Sequence, residues 1–243
     1  MKSRSFVIGD IHGGLKGLKN VLKKADVVEK DEFIFLGDYV DGWSESAELI
    51  DFLIKFEKKN KCIFLKGNHD LWLIDWLKNG LKSKSWEVNG GKSTIKSYKN
   101  VSEKKKQKHL LFFERMKYYH EDNLNRLFVH AGFTSIHGVK FEYHQENFCW
   151  DRTLWETAKC IDKSLSKRSL YFPKRLKLYY EIYIGHSATI NYGISLPINI
   201  FNLWNIDTGA GFNGKLTMLD IDSKKIYQSD FLFKLYPKEL GRI

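Results

Sequence analysis

Five short runs of β-forming residues in this chain each end at a glycine with a carboxylate, amide or imidazole side chain close by. Phe6-Val7-Ile8 runs into Gly9-Asp10-Ile11-His12-Gly13, and Phe33-Ile34-Phe35-Leu36 into Gly37-Asp38-Tyr39-Val40-Asp41-Gly42. Cys62-Ile63-Phe64-Leu65 runs into Gly67-Asn68-His69-Asp70, Leu127-Phe128-Val129 into His130-Ala131-Gly132, and Tyr183-Ile184 into Gly185-His186. An apolar run of this length bounded by a turn signal reads as a buried strand. Each strand then delivers a polar side chain to its tip. A chain that repeats this pattern must gather its tips along one edge of a sheet.

The intervals support a sheet built from strand-loop-helix units. Leu15, Leu18, Val21, Leu22 and Ala25 recur at helical spacing, as do Ala47, Ile50, Leu53 and Ile54, with Ser44 placed to cap the second helix. A third helix is expected from near Asp70 to a stop at Asn79-Gly80, with Trp72 and Trp76 on its core side. Such alternation argues for parallel strands, which bind ligands beyond their carboxyl ends. Residues 81–100 read as a turn-rich loop, either a connection or a lid, and Ser102 to His120 as a helix. Residues 133–179 are aromatic and basic, with a helix expected at Leu154 to Cys160, and form a possible cap beside the site. Phe201 to Ile206, Lys215 to Ile221 and Lys225 to Tyr227 read as a second, antiparallel set of strands. Because ligand-type residues come from both ends of the chain, residues 1–243 are expected to form one α/β domain with two packed sheets.

Composition narrows the class. The formal net charge is +11, but most of the basic residues are lysines spread along the chain, as on a solvated face, and no nucleic-acid-binding module is recognisable. Nucleic acid is therefore not the expected main partner. The three cysteines lack metal-site or redox spacing and suggest a reducing compartment. Met1 to Ser5 leads directly into the first strand, and no apolar run spans a membrane, so a soluble, cytoplasmic protein is expected.

Asp10, His12, Asp38, Asn68, His130 and His186 share one context, just beyond a short strand and near a glycine. Mixed imidazole and oxygen donors suit Mn²⁺, Fe or Zn²⁺. Six donors are too many for one ion that must keep an open position, so two ions bridged by a carboxylate are the economical reading, with Mn²⁺ favoured. The remaining histidines, His109, His120, His137 and His144, lack the strand-tip context and read as surface or packing residues.

The five motifs, in this order, resemble those of the calcineurin-like metallophosphoesterases, and within them the bacterial relatives of serine/threonine phosphoprotein phosphatases. Asp207-Thr208-Gly209 and the Asn89-Gly90-Gly91 to Thr94 loop are similar as well. The resemblance implies a four-layer αββα sandwich of two mixed sheets flanked by helices. It assigns Asp10, His12 and Asp38 to one ion and Asp38, Asn68, His130 and His186 to the other. It further implies in-line attack by a metal-bridging hydroxide, with His69 as general acid and Asp41 orienting it. Asn68 and Arg152 would contact the phosphate. One departure stands out: where the phosphoprotein phosphatases continue with Arg-Gly and grip the phosphate, this chain has Gly42-Trp43. The expectation is a phosphomonoesterase acting on phosphoproteins or small phosphoesters. Its alternatives are a dinucleoside polyphosphate hydrolase, a phosphodiesterase or nuclease, and a binding protein without turnover.

Overall fold

The computed structural model describes residues 3–242; positions 1, 2 and 243 of the expected 1–243 unit lie outside the described residues. The first half follows the strand-loop-helix rule. β1 (Ser5–Ile8), α1 (Leu15–Lys24), β2 (Glu32–Phe35), α2 (Ser46–Phe56), β3 (Lys61–Phe64) and α3 (Asn68–Asn79) succeed one another, with β1, β2 and β3 parallel. The stripes expected on α1 and α2 are buried, as is Ala25 just past the end of α1. Gly80 ends α3 in the left-handed conformation, and its N–H donates to Trp76 O, the role its sequence position suggests. Ser44 is not the cap of α2: that helix starts at Ser46, and the Ser44 hydroxyl donates instead to Glu239 (2.7 Å).

Residues 81–100 are not an open loop. They form two short helices, α4 (Lys84–Trp86) and α5 (Lys92–Ser97), joined by a wide turn in which Gly90 has φ +105°. α6 (Glu103–Glu114) is shorter than the expected helix, because Tyr119–Glu121 leaves it to become β4 beside β5 (Arg126–Val129). α7 (Asn147–Trp150), α8 (Thr153–Cys160) and α9 (Lys174–Lys177) lie between β5 and β6 (Glu181–Ile184).

The strands near the C-terminal end do not make a sheet of their own. β7 (Ile198–Ile200) and β8 (Leu203–Asn205) extend the second sheet, in order β4-β5-β6-β8-β7, with β8 parallel to β6. β9 (Thr217–Asp220) and β10 (Ile226–Gln228) return to the first, in order β10-β9-β1-β2-β3, with β9 antiparallel to β1. The reason is edge pairing: β1 and β6 each had one open edge, which β9 fills antiparallel and β8 parallel; the second sheet is mixed through its antiparallel edge strands β4 and β7. α10 (Leu232–Leu235) closes the chain against α1.

Three cores hold four layers together. Val7, Ile34, Leu36 and Leu219 of the first sheet meet Phe128, Tyr183 and Ile206 of the second between the sheets, and the rings of Phe128 and Tyr183 stack at 5.0 Å. α1, α2 and α6 cover the outer face of the first sheet, where Phe6, Phe33, Phe35 and Phe64 are buried. Residues 133–179 supply the outer layer of the second sheet through Phe133, Phe148, Leu154, Trp155, Phe172 and Leu176. Each large side chain so buried contributes about 1.5–3 kcal/mol. The result is two mixed sheets flanked by helices, with all five ligand-bearing tips at one end of the sandwich.

Candidate metal centre

β1 delivers Asp10 and His12, β2 delivers Asp38 and Asp41, and the start of α3 carries Asn68 and His69. From the second sheet, β5 delivers His130 and β6 delivers His186. Asp38 is the hub: its Oδ2 lies 3.4 Å from His130 Nε2, 3.6 Å from His12 Nε2 and 3.9 Å from His69 Nε2. Two groups of donors therefore share Asp38, one with His12 and His69 and one with His130 and His186. Asp10 flanks the first, with Oδ2 3.9 Å from His12 Nε2. Asn68 flanks the second, with Oδ1 3.2 Å from His130 Nε2.

The backbone is bent to achieve this. His12, Asp38, Asp41 and His186 all have positive φ, between 50° and 70°, which side-chain-bearing residues rarely adopt. Two glycines let the tips converge: a Cβ on Gly67 would collide with the Asp38 carboxylate, and one on Gly185 with that of Asp10. Asp70 locks the arrangement, accepting from Gly67 N and Asp38 N with one oxygen and from Tyr39 N with the other, at 2.8–3.0 Å.

Hydrogen bonds aim the imidazoles. His12 Nδ1–H donates to Val40 O and His130 Nδ1–H to Leu36 O, both at 2.9 Å, which turns each Nε2 toward Asp38. Burial pushes the Asp38 carboxyl up, but His130, His69 and His12 outweigh it and hold it well below the usual carboxylate range. Burial works against the His130 imidazolium, yet Asp38 and Asp10 raise it to about 10. The local field thus favours positive charge between these carboxylates. Burial, followed by repulsion from His130 and Arg152, drives His186 well below its ordinary value, and its Nε2 is buried without a partner. Orphaned imidazole nitrogen, converging carboxylates and a field that calls for a cation fit divalent metal ions.

On one flank stands the pair His69 and Asp41, joined by Nδ1 and Oδ2 at 2.6 Å. Trp86 Nε1–H donates to the same Oδ2 (2.7 Å) and Thr94 Oγ1–H to Oδ1 (2.7 Å), while Asp41 N–H donates to Thr94 Oγ1 (2.9 Å). Burial pushes the Asp41 carboxyl up to about 8, against those hydrogen bonds, and the His69 imidazolium down to about 3. Both shifts express a preference for a net-neutral pair. One proton then sits between Nδ1 and Oδ2, and a second on Nε2, which faces Asp38.

Trp86 carries no sequence signal for this role, and Thr94 is marked only as the end of the Asn89-Gly90-Gly91 loop that shares the resemblance; both belong to the stretch expected to be a loop or lid, which instead buttresses Asp41. Asp70 could have been found from its position at the third residue of a helix behind Gly67. Arg152 is exposed and pairs with no carboxylate among the described residues, and its charge reaches His186. Trp72, expected in the core, is half-buried at the rim, edge-on to His69 (5.0 Å) and to Trp150 (5.1 Å). Asp207 is buried beside Asp10 and holds Gly209 N–H (2.9 Å). Arg242 was not among the sequence candidates, yet its Nη1 lies 3.1 Å from His12 Nε2. His109 is buried and bonded to Tyr98 and Asp51, and His137 and His144 are exposed, away from the centre.

Strand-tip carboxylates and imidazoles gathered at one end of a two-sheet sandwich define a metal-dependent hydrolase. The calcineurin-like phosphoesterase family matches residues 3–197, and the chain belongs to that family. It is 26% identical over 237 residues to an asymmetrical bis(5'-nucleosyl)-tetraphosphatase, PrpE, of Oceanobacillus iheyensis, covering 90% of this chain and 89% of that protein. A serine/threonine-protein phosphatase 4 catalytic subunit of Eremothecium gossypii is 38% identical over 66 residues, 26% of this chain and 21% of that one. In fold, the chain is similar to a provisionally assigned diadenosine tetraphosphatase, with TM-score 0.65 and 15% identity over 93% of this chain and 92% of the other.

Proposed function

We propose that this metallophosphoesterase hydrolyses dinucleoside polyphosphates. The observation that carries the choice is length of likeness: the tetraphosphatase relative matches nearly end to end, whereas the protein phosphatase matches about a quarter of the chain. Asp10, His12 and Asp38 would hold one divalent ion, and Asp38, Asn68, His130 and His186 a second, with Mn²⁺ the favoured metal. Bound there, the ions would offset charge on the phosphate oxygens and make water acidic near neutral pH.

The chain's own groups do the rest. The oxygen of a water that has given one proton to solvent bonds to phosphorus as the bridging P–O bond on the opposite side breaks. His69 gives its Nε2 proton to the departing oxygen, and Asp41 keeps the ring in place through Nδ1. Asn68 and Arg152 hold non-bridging oxygens. At the rim, Trp150 is 37% exposed beside His186 and leans on Trp72, an aromatic surface on which a base can stack. Residues 1–243 act as one catalytic domain in this reading, with 133–179 bringing Trp150 and Arg152 to the rim as a cap.

The second reading is a phosphomonoesterase of the serine/threonine protein phosphatase type, favoured by the 66-residue stretch of higher identity. The two separate on substrates. With Mn²⁺, diadenosine tetraphosphate should be cleaved with a higher kcat/KM than a phosphothreonine peptide. The reverse order would give the site to phosphoproteins, and no turnover of either with metal bound would remove both readings.

A further inference from the structure

Arg242 reaches the centre from the segment after α10, through a slot that glycines leave open. A Cβ on Gly42 or Gly90 would stand 3.2 Å from Arg242 Cγ, and one on Gly211 3.2 Å from its Cδ. The residue is anchored by its own N–H, which donates to Gly211 O (2.7 Å), and its guanidinium lies over the Phe212 ring at 4.8 Å. Arg4, Arg115, Arg126 and Arg175 each lie within ion-pair distance of a carboxylate. Arg242 has no such partner among the described residues. Its Nη1 faces the lone pair of His12 Nε2, and its Nε is buried with no hydrogen-bond partner among the described residues.

A guanidinium is a permanent cation with five donors in a fork that matches phosphate. Here it is held beside an imidazole proposed to bind a metal ion. The Nε2 lone pair can serve Arg242 or an ion, but not both, and the two cations repel. An anion lying against both removes the conflict: it accepts from the Nη1–H that loses His12 when the ion takes that lone pair, and from the buried Nε–H. The cleft outside, about 420 Å³, is lined by Gly42, Lys92, Ser93 and Arg242 together with Glu87, so Arg242 also borders solvent there, beside one lysine and one carboxylate.

We propose that Arg242 binds a phosphate of the substrate on the His12 side of the centre, supplying the guanidinium that Gly42 has no side chain to supply. The inference rests on the phosphoester reading above. In the full chain loaded with Mn²⁺, inorganic phosphate binding, bound Mn²⁺, KM and kcat would be compared for wild type, Arg242→Gln and Arg242→Lys. Arg242→Gln should keep its Mn²⁺ but bind phosphate about 10- to 100-fold more weakly, with the loss mainly in KM. Arg242→Lys, which retains charge and stem, should recover part of that and reads the contact even where the Gln variant is unstable. Phosphate binding within twofold of wild type in an Arg242 variant with its Mn²⁺ intact overturns the proposal. Wild type that loads Mn²⁺ but binds no phosphate overturns the phosphoester reading itself, and the inference with it.

Discussion

Two parts of the centre around Asp38 are built in opposite ways. Around Asp41, both carboxylate oxygens are partnered, by His69, Trp86 and Thr94, and all of these side chains are buried. By contrast, two buried nitrogens, His186 Nε2 on the His130 side and Arg242 Nε on the His12 side, have no partner among the described residues. An unsatisfied buried donor or acceptor costs about 1–3 kcal/mol. The saturated corner therefore fixes a geometry in advance, whereas the two unsaturated positions gain a partner only from what binds there.

The comparison can be broken at its hub. Asp38→Asn removes the carboxylate shared by both groups of donors, and kcat/KM should fall about 10³-fold or more, with loss of bound metal measured on the same sample. At the saturated corner, His69→Asn should lower kcat about 10²- to 10⁴-fold on an alkyl phosphoester, and less on a nitrophenyl ester, whose leaving oxygen needs no proton. A uniform loss on both esters would deny His69 the role of acid. Asp41→Asn acts through His69 and should cost about 10- to 100-fold, again more for the basic leaving group. Trp86→Phe keeps an aromatic side chain but removes the indole N–H that donates to Asp41 and part of the buried volume; a loss of about 1–3 kcal/mol in thermal or urea unfolding is expected, with metal content unchanged.

A separate effect, on stability alone, lies far from the metal. Arg4 grips Asp31 through Nε (3.1 Å) and Nη2 (2.6 Å), and Val28 N–H adds a third bond (2.9 Å). Burial pushes the Asp31 carboxyl up, but these bonds hold it below the ordinary aspartate value. A depressed folded value means that the stabilisation is present above the unfolded value, about 3.9, and is lost as pH falls through the folded one. Asp31→Asn should therefore lower stability by about 1–3 kcal/mol at neutral pH, and the difference from wild type should shrink as the solution is acidified below about pH 4.

Much of the centre was legible in the sequence because local rules place it. Each ligand-type residue follows a β-run and sits near a glycine, so a strand tip is readable before any tertiary contact is known. The helices that alternate with β1 to β3 were readable for the same reason, through apolar spacing. Trp86 and Thr94 were not: they meet Asp41 across 45 and 53 residues, and residues 81–100 show turn residues where the chain forms helices around Gly90. Arg242 meets His12 across 230 residues, a contact with no local signature. The late strands were assigned to one sheet because alternation marks a strand but not its neighbour; edge pairing divided them between two. Ser44 has a capping side chain, but Glu239 takes it.

The binuclear reading is tested most directly by anomalous scattering from crystals of the wild-type protein grown with Mn²⁺. Two peaks are expected, one on each side of Asp38, the first against His12 and the second against His130 and His186. A single peak, or peaks away from Asp38, in crystals of protein active with Mn²⁺ would contradict it.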